Sequence, residues 1–219
     1  MEAAADAAYE DFINETHKLQ SEEAVQRYLQ TYGDTIESRV QRCLEQADRL
    51  YELQFYGAAL TAAVTAIELI IRFLLIRPLV SGAFLSEEWE ELLAEKIGSG
   101  RSEGDREILP KLLKQWGFDL NTMTLPGGEP LWSSLMDKKT GVLEKRHAVV
   151  HRGAAATQSE ASLAIVGART ILNNIVYQLA TKLGFRLKDT VCWSIGGIKA
   201  MDPISRNPFE PGVSKPRVH

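Results

Sequence analysis

Apolar residues recur every three or four positions along most of this chain, the spacing of helices that bury one side. Between residues 35 and 54 they fall at Ile36, Val40, Cys43/Leu44, Ala47 and Leu50/Tyr51, with Asp34 placed to cap the start. Beyond Gly57, which would interrupt or merely thin the helix, "ALTAAVTAIELIIRFLLI" is apolar nearly all round, as the central helix of a bundle is. Pro78 is expected to stop it after Arg77. Two short helices are predicted at 3–18 and 22–32, the second closed by Gly33. Ser86 opens "SEEWEELLAEKIG", which Gly98 ends, and the loop "GSGRSEGD" leads to a short helix, "REILPKLLKQWG". After the irregular "FDLNTMTLPGGEP", Pro130 suits the first turn of a helix running to about 151 and stopped by Gly153. Ser159 opens a last long helix to about 184, with Leu163, Val166, Ile171, Ile175, Leu179 and Leu183 on its apolar side.

No alternating strand precedes residue 189; "TVCWSI" reads as one short strand, and the Gly/Pro-rich stretch after it cannot bury a core of its own. The expected fold is all-α: an up-and-down helical bundle over 34–188. It carries an acidic arm of short helices over 1–33 and an irregular tail over 189–219.

Charge sharpens this picture. The net charge of −4 conceals twelve acidic against five basic side chains in residues 1–54, and five basic against one acidic in 138–152. Such a balance argues against a general nucleic-acid coat but leaves room for a local phosphate site. Cys43 and Cys192 match no CxxC pattern and read as reduced thiols of a cytoplasmic protein. The start "MEAAADAAYEDF" lacks a signal peptide's basic end and apolar core. The uncharged run Phe55 to Ile67 is shorter than the ~18 residues of a membrane span, so no membrane association is expected.

The segment "EKRHAVVHRG", 144–153, stands out. The apolar stripe of its helix, Leu131/Trp132, Leu135/Met136, Val142/Leu143 and Val149/Val150, leaves one slot at 146/147, filled by Arg146 and His147. His151 lies one turn beyond His147 on the same side, with Lys145 and Arg152 flanking. A permanent charge in an apolar stripe is costly unless paired. One reading is structural: Arg146 pairs with Glu68, which interrupts the most apolar helix just as oddly, and the chain is a non-catalytic helical interaction or regulatory subunit. The other is a phosphate site. Arginine offers a fixed fork for phosphate oxygens, and histidine gives or takes a proton near neutral pH. Cleavage of RNA by its own 2′-hydroxyl needs such a base, acid and cation, and a symmetric dimer would double the inventory.

Other chemistries fit less well. His147-x3-His151 and Glu144-x-x-His147 have metal-ligand spacing, but a di-iron site needs a second Glu-x-x-His, and His17 and His219 sit near the termini. No metal or other cofactor is expected. "GSGRSEG" lacks a phosphate loop's Lys-Ser/Thr, and Ser134 to Lys138 is one residue too long for a Ser-x-x-Lys box. Trp89, Trp116 and Trp132, and Tyr51, Phe55 and Tyr56, read as packing residues.

Arg146-His147-Ala148-Val149-Val150-His151 resembles the R-x4-6-H signature of HEPN domains, in which a polar residue directly follows the arginine, here His147. The setting resembles the family too, over residues 35–184: a helical bundle, an apolar helix bearing a Glu, the motif late in the chain, then a closing long helix. The resemblance implies a metal-independent endoribonuclease of toxin–antitoxin, abortive-infection or antiviral defence systems. Such a protein would dimerise through its motif helices and respond to an antitoxin or sensor partner. Arg146 would then stabilise phosphate, His151 act as acid/base, and His147 assist, with Glu68, Arg152 and Lys145 in support. Some family members carry a tyrosine two residues after the histidine as a target of nucleotide transfer; here that place is Gly153.

Overall fold

The computed structural model of the chain describes residues 2–81, 103–187 and 191–193. The expected helix from Ser86 to Gly98 and the tail beyond 193 lie outside these residues. Within them the fold is helical, with one ladder of two short strands.

Helix α1 runs unbroken from Glu2 to Glu52, so the two short helices expected over 1–33 are part of one element. It buries Val25, Leu29, Ile36, Val40, Leu44 and Ala47. With Gly33 in the slot between Leu29 and Ile36, these positions step in the rhythm of an 11-residue repeat, whose 3.67 residues per turn keep the stripe on one side of the helix with a slight right-handed drift. Gly33 therefore does not end a helix. A Cβ there would collide with the indole of Trp193, and the glycine is a notch into which that ring fits.

Trp193 arrives on the antiparallel pair β1 (Arg186–Leu187) and β2 (Val191–Cys192), in which Arg186 faces Cys192. Its Nε1 donates to Glu37 Oε2 at 2.7 Å, and the Tyr177 hydroxyl donates to the other carboxylate oxygen. Gln41 donates in turn to the Tyr177 oxygen at 3.3 Å. Glu37 is only 5% exposed, and among the described residues this buried carboxylate is held by two neutral donors and no cation. Burial, then the neighbouring Glu37 carboxylate, pushes the Tyr177 phenol above its ordinary range.

The chain reverses at Leu53–Phe55, where Gln54 adopts a φ of 62°, and α2 begins at Tyr56. Helix α2 (Tyr56–Leu69) buries Ala59, Leu60, Ala63, Val64, Ala66, Ile67 and Leu69. It passes into a π-helical stretch, Ile70–Ile76, and then α3 (Arg77–Ser81). Pro78 lies inside this run and does not stop it. The Arg77 N–H bonds back to the Arg72 carbonyl, a five-residue step, so the backbone is already widened where a residue without an N–H follows. The whole run, Tyr56–Ser81, is 26 residues long, with a mean hydropathy of 2.1 in its most apolar window, and is longer than the uncharged stretch alone suggests. It is long and apolar enough to cross a membrane, but 72% of its most apolar window is buried inside the fold, as for a core helix.

Helix α4 (Glu103–Gln115) tolerates Pro110 within it. Then comes the irregular stretch, pinned by a bridge between Thr124 and Pro130. The helix expected over 130–151 is two: α5 (Leu131–Met136) and α6 (Val142–Arg152). Asp137 breaks it. Its Oδ1 accepts from the Lys139 and Thr140 N–H groups at 2.8 and 2.7 Å and from the Thr140 hydroxyl at 2.8 Å, closing a turn that competes with the helix.

The last long helix starts at Gln158, capped by Thr157, rather than at Ser159. Thr157 and Glu160 form a capping box, each side chain bonded to the other's N–H. It comprises α7 (Gln158–Ile171), a π-helical stretch, Leu172–Val176, and α8 (Tyr177–Lys182). Helix α2 is sandwiched between α1 and α7, with α6 against its flank.

Candidate functional site

Helix α6 carries the motif, and its ends explain its orientation. Glu144 sits in the first turn and His151 and Arg152 in the last, matching the helix dipole at both ends. Gly153 terminates it as expected, at a φ of 66°, while the Ala154 N–H closes back onto the Ala148 carbonyl at 3.2 Å. Val142 is buried and Leu143 and Val149 are half-buried, so one side of α6 faces the bundle. The opposite side presents His147, Val150 and His151 to solvent. The two imidazoles lie together, ring centroids 4.6 Å apart and planes inclined by 45°.

The cations divide into two kinds. Lys145 reaches across to Glu160 of α7 at 2.9 Å, and Arg152 folds back onto Glu144 at 2.7 Å. Both supporting residues are thus held in ion pairs. The Glu160 carboxyl is held below its ordinary range, first by the Thr157 N–H and then by Lys145, against an opposing effect of burial. Arg146 has no such partner among the described residues. It is half-buried, and its Nε is shielded from solvent without a hydrogen bond among the described residues. Glu68, expected to pair with it, stands exposed on α2 and shares no ion pair or hydrogen bond with Arg146. The structural ion pair is therefore not formed.

Beside α6, an open groove of about 470 Å³ runs along α1 and α2 and ends at Val149. Gly57, Ala58 and Ala62 make it shallow and apolar, and the Thr61 and Thr65 hydroxyls are spent on backbone carbonyls at 2.9 Å each. Its lining offers a phosphate no cation, only the amide of Gln46. Among the described residues no three His, Cys, Asp or Glu side chains come together as metal ligands; Glu144 is engaged by Arg152 instead.

Of the aromatic residues read as packing, Phe55 is 61% exposed. With Leu53 and Val150 it makes up the large apolar side chains left in solvent among the described residues. Leu53 and Phe55 lie in the turn that abuts the motif: Gly57 packs under Val149, and Gln158 donates to the Tyr51 hydroxyl at 3.1 Å. Sequence reasoning did not find this corner, because exposure of a loop phenylalanine is not encoded in periodicity.

No family model, curated protein or solved structure matches the chain. The functional reading therefore rests on the residues of α6.

Proposed function

We propose that this chain is a HEPN-type endoribonuclease, working as a homodimer whose two α6 helices form one phosphate-binding cleft. The observation that carries the reading is Arg146. Every other permanent cation of α6 has a carboxylate partner, whereas this guanidinium keeps a shielded donor unpaired beside two exposed imidazoles. An unsatisfied buried donor costs roughly 1–3 kcal/mol, a cost that repacking around an arriving oxyanion would relieve. A single chain supplies one arginine and one histidine pair; a second copy brings another set across the exposed face.

In the proposed reaction a histidine takes the proton of the RNA 2′-hydroxyl, and that oxygen attacks the adjacent phosphorus. The P–O5′ bond breaks, and a second histidine, His151 or its counterpart in the other copy, returns a proton to the leaving 5′-oxygen. Arg146 balances the charge that builds on the non-bridging oxygens. The products are a 2′,3′-cyclic phosphate and a 5′-hydroxyl, with no metal in the scheme. An antitoxin or sensor protein would regulate it through the same exposed face.

The test is incubation of the purified chain with RNA in excess EDTA. Cleavage with cyclic-phosphate ends is expected to persist under chelation and to fall by about 10²-fold or more in His151→Ala, at unchanged melting temperature. Cleavage that disappears with EDTA, or that His151→Ala leaves intact, would refute the assignment.

A further inference from the structure

The two imidazoles of α6 can do more than move protons. His147 and His151 are both exposed, and neither shares a hydrogen bond or ion pair with any described residue. Their spacing is fixed, because both lie inside α6, whose last turn is closed by the bond from the Ala154 N–H to the Ala148 carbonyl. Four residues apart on a helix, they project from one face in successive turns. Their ring centroids are 4.6 Å apart. That distance is the one a shared metal ion requires. With metal–nitrogen bonds of ~2.0–2.1 Å, an ion sits about 3.2 Å from each ring centre, and bond angles of about 90–110° place the two centres about 4.5–5.2 Å apart. Turning an exposed imidazole about its outer torsion is soft, so the nitrogens reach a common point without moving the backbone.

We infer that His147 and His151 chelate one divalent transition-metal ion of the zinc, nickel or copper class. Neutral imidazole suits these ions, whereas magnesium and calcium prefer oxygen. The neighbouring charges allow it: Lys145 and Arg152 are answered by Glu160 and Glu144. Arg146 opposes an arriving cation, but it leaves the helix about 100° round from His147. Glu144, one turn before His147, is held by Arg152, so the chain's share is two nitrogens. Water, or the imidazole pair of a second copy, fills the remaining positions. Structural zinc sites are closed by four protein ligands, so a site with two is one that loads and empties. Chelation does not depend on the nuclease reading. Where that reading holds, the ion takes the ring lone pairs that proton transfer needs, and zinc holds the enzyme inactive.

Calorimetric titration of the full chain with zinc chloride, in a buffer that does not chelate, tests the site, with magnesium chloride as the control. Zinc is expected to bind at one ion per chain, or one per two chains where a second copy completes the shell, and magnesium is not. His147→Ala and His151→Ala should each weaken zinc binding by about tenfold or more, since each removes one of two ligands. Both residues are exposed, so these variants are expected to keep the wild-type melting temperature. A His17→Ala/His219→Ala variant, which removes the chain's other histidines, should bind zinc as the wild type does. Zinc binding that both α6 variants retain, that the His17/His219 variant loses, or that is no stronger than magnesium binding would each overturn the inference. RNA cleavage is read separately. Cleavage that zinc suppresses and EDTA restores supports both the chelate and the nuclease. Undiminished cleavage by the zinc-saturated chain, or no cleavage at all, counts against a catalytic role for these imidazoles, while the heat of binding still decides the chelate.

Discussion

At the scale of residues, the same observation governs both Arg146 and Glu37: which neighbour, if any, answers a charge. Arg146 answers to nothing on α2, so its removal strands no buried carboxylate. Arg146→Ala is expected to cost about 1 kcal/mol or less, mostly the packing of its aliphatic stem, while abolishing RNA cleavage. A melt that collapses in this variant would reveal a structural role instead. Glu37 is the converse, a buried carboxylate that depends on two donors. Tyr177→Phe removes one and should cost roughly 1.5–3 kcal/mol, as hydrogen bonds to charged groups do. Because the Tyr177 phenol is pushed upward in the folded state, its contribution is complete below the ordinary phenol range near ~10. It is lost as pH climbs from there towards the raised value, so the phenylalanine variant should show a flatter alkaline limb in a pH series of melts. The motif was legible from sequence because its oddity is compositional, charges inside an apolar stripe. Its partners were not: that Lys145 meets Glu160, or that Glu68 stays unpaired with Arg146, depends on how α6 is rotated against α7 and α2, and helical spacing does not carry that angle.

At the scale of elements, periodicity located the helices and misjudged where they break. Leu131, Leu135, Val142 and Val149 keep step through the α5–α6 junction, so the apolar count reads one helix. The break comes from a single carboxylate, Asp137, offering the backbone a better turn. Pro78 is the opposite error, a breaker tolerated because the upstream helix has widened. The capping box in "TQSE" was legible and would have placed the start of α7 correctly. Gly33 was misread because a glycine serves equally as a terminus or as a notch, and only the distant Trp193 distinguishes them. The notch predicts an inverted result. Glycine to alanine inside a helix ordinarily gains about 1 kcal/mol, but Gly33→Ala should destabilise by forcing the indole out. Pairing it with Trp193→Ala should recover the propensity gain, so the double variant melts above Trp193→Ala alone. Additive losses in that cycle would mean that the ring does not occupy the notch.

At the scale of the whole molecule, the exposed apolar side chains gather where the motif is. Val150, at 48% exposure, lies on α6 beside His147 and His151, and Leu53 and Phe55, at 64% and 61%, lie in the turn before α2, whose Gly57 meets Val149 of α6. Large apolar side chains left in solvent are ordinarily scattered singly, and the proposed dimer would give these three a face that covers them. A stable dimer buries about 800 Å² per partner, more than three side chains supply, so the outward side of α6 and neighbouring parts of α1 would have to join them. In a two-fold interface the same patch meets itself, and a charge placed in it faces its own copy at close range. Val150→Glu should therefore convert a dimer to a monomer in light scattering without lowering the melting temperature of the isolated chain, because the residue packs on little within it. Cleavage should fall with it, and raising the protein concentration should partly restore activity in a weakened variant such as Val150→Ser. If the wild-type chain is monomeric at concentrations where it cleaves RNA, or Val150→Glu cleaves normally as a monomer, the site is complete in one copy. The second arginine and histidine pair then has no part in the chemistry.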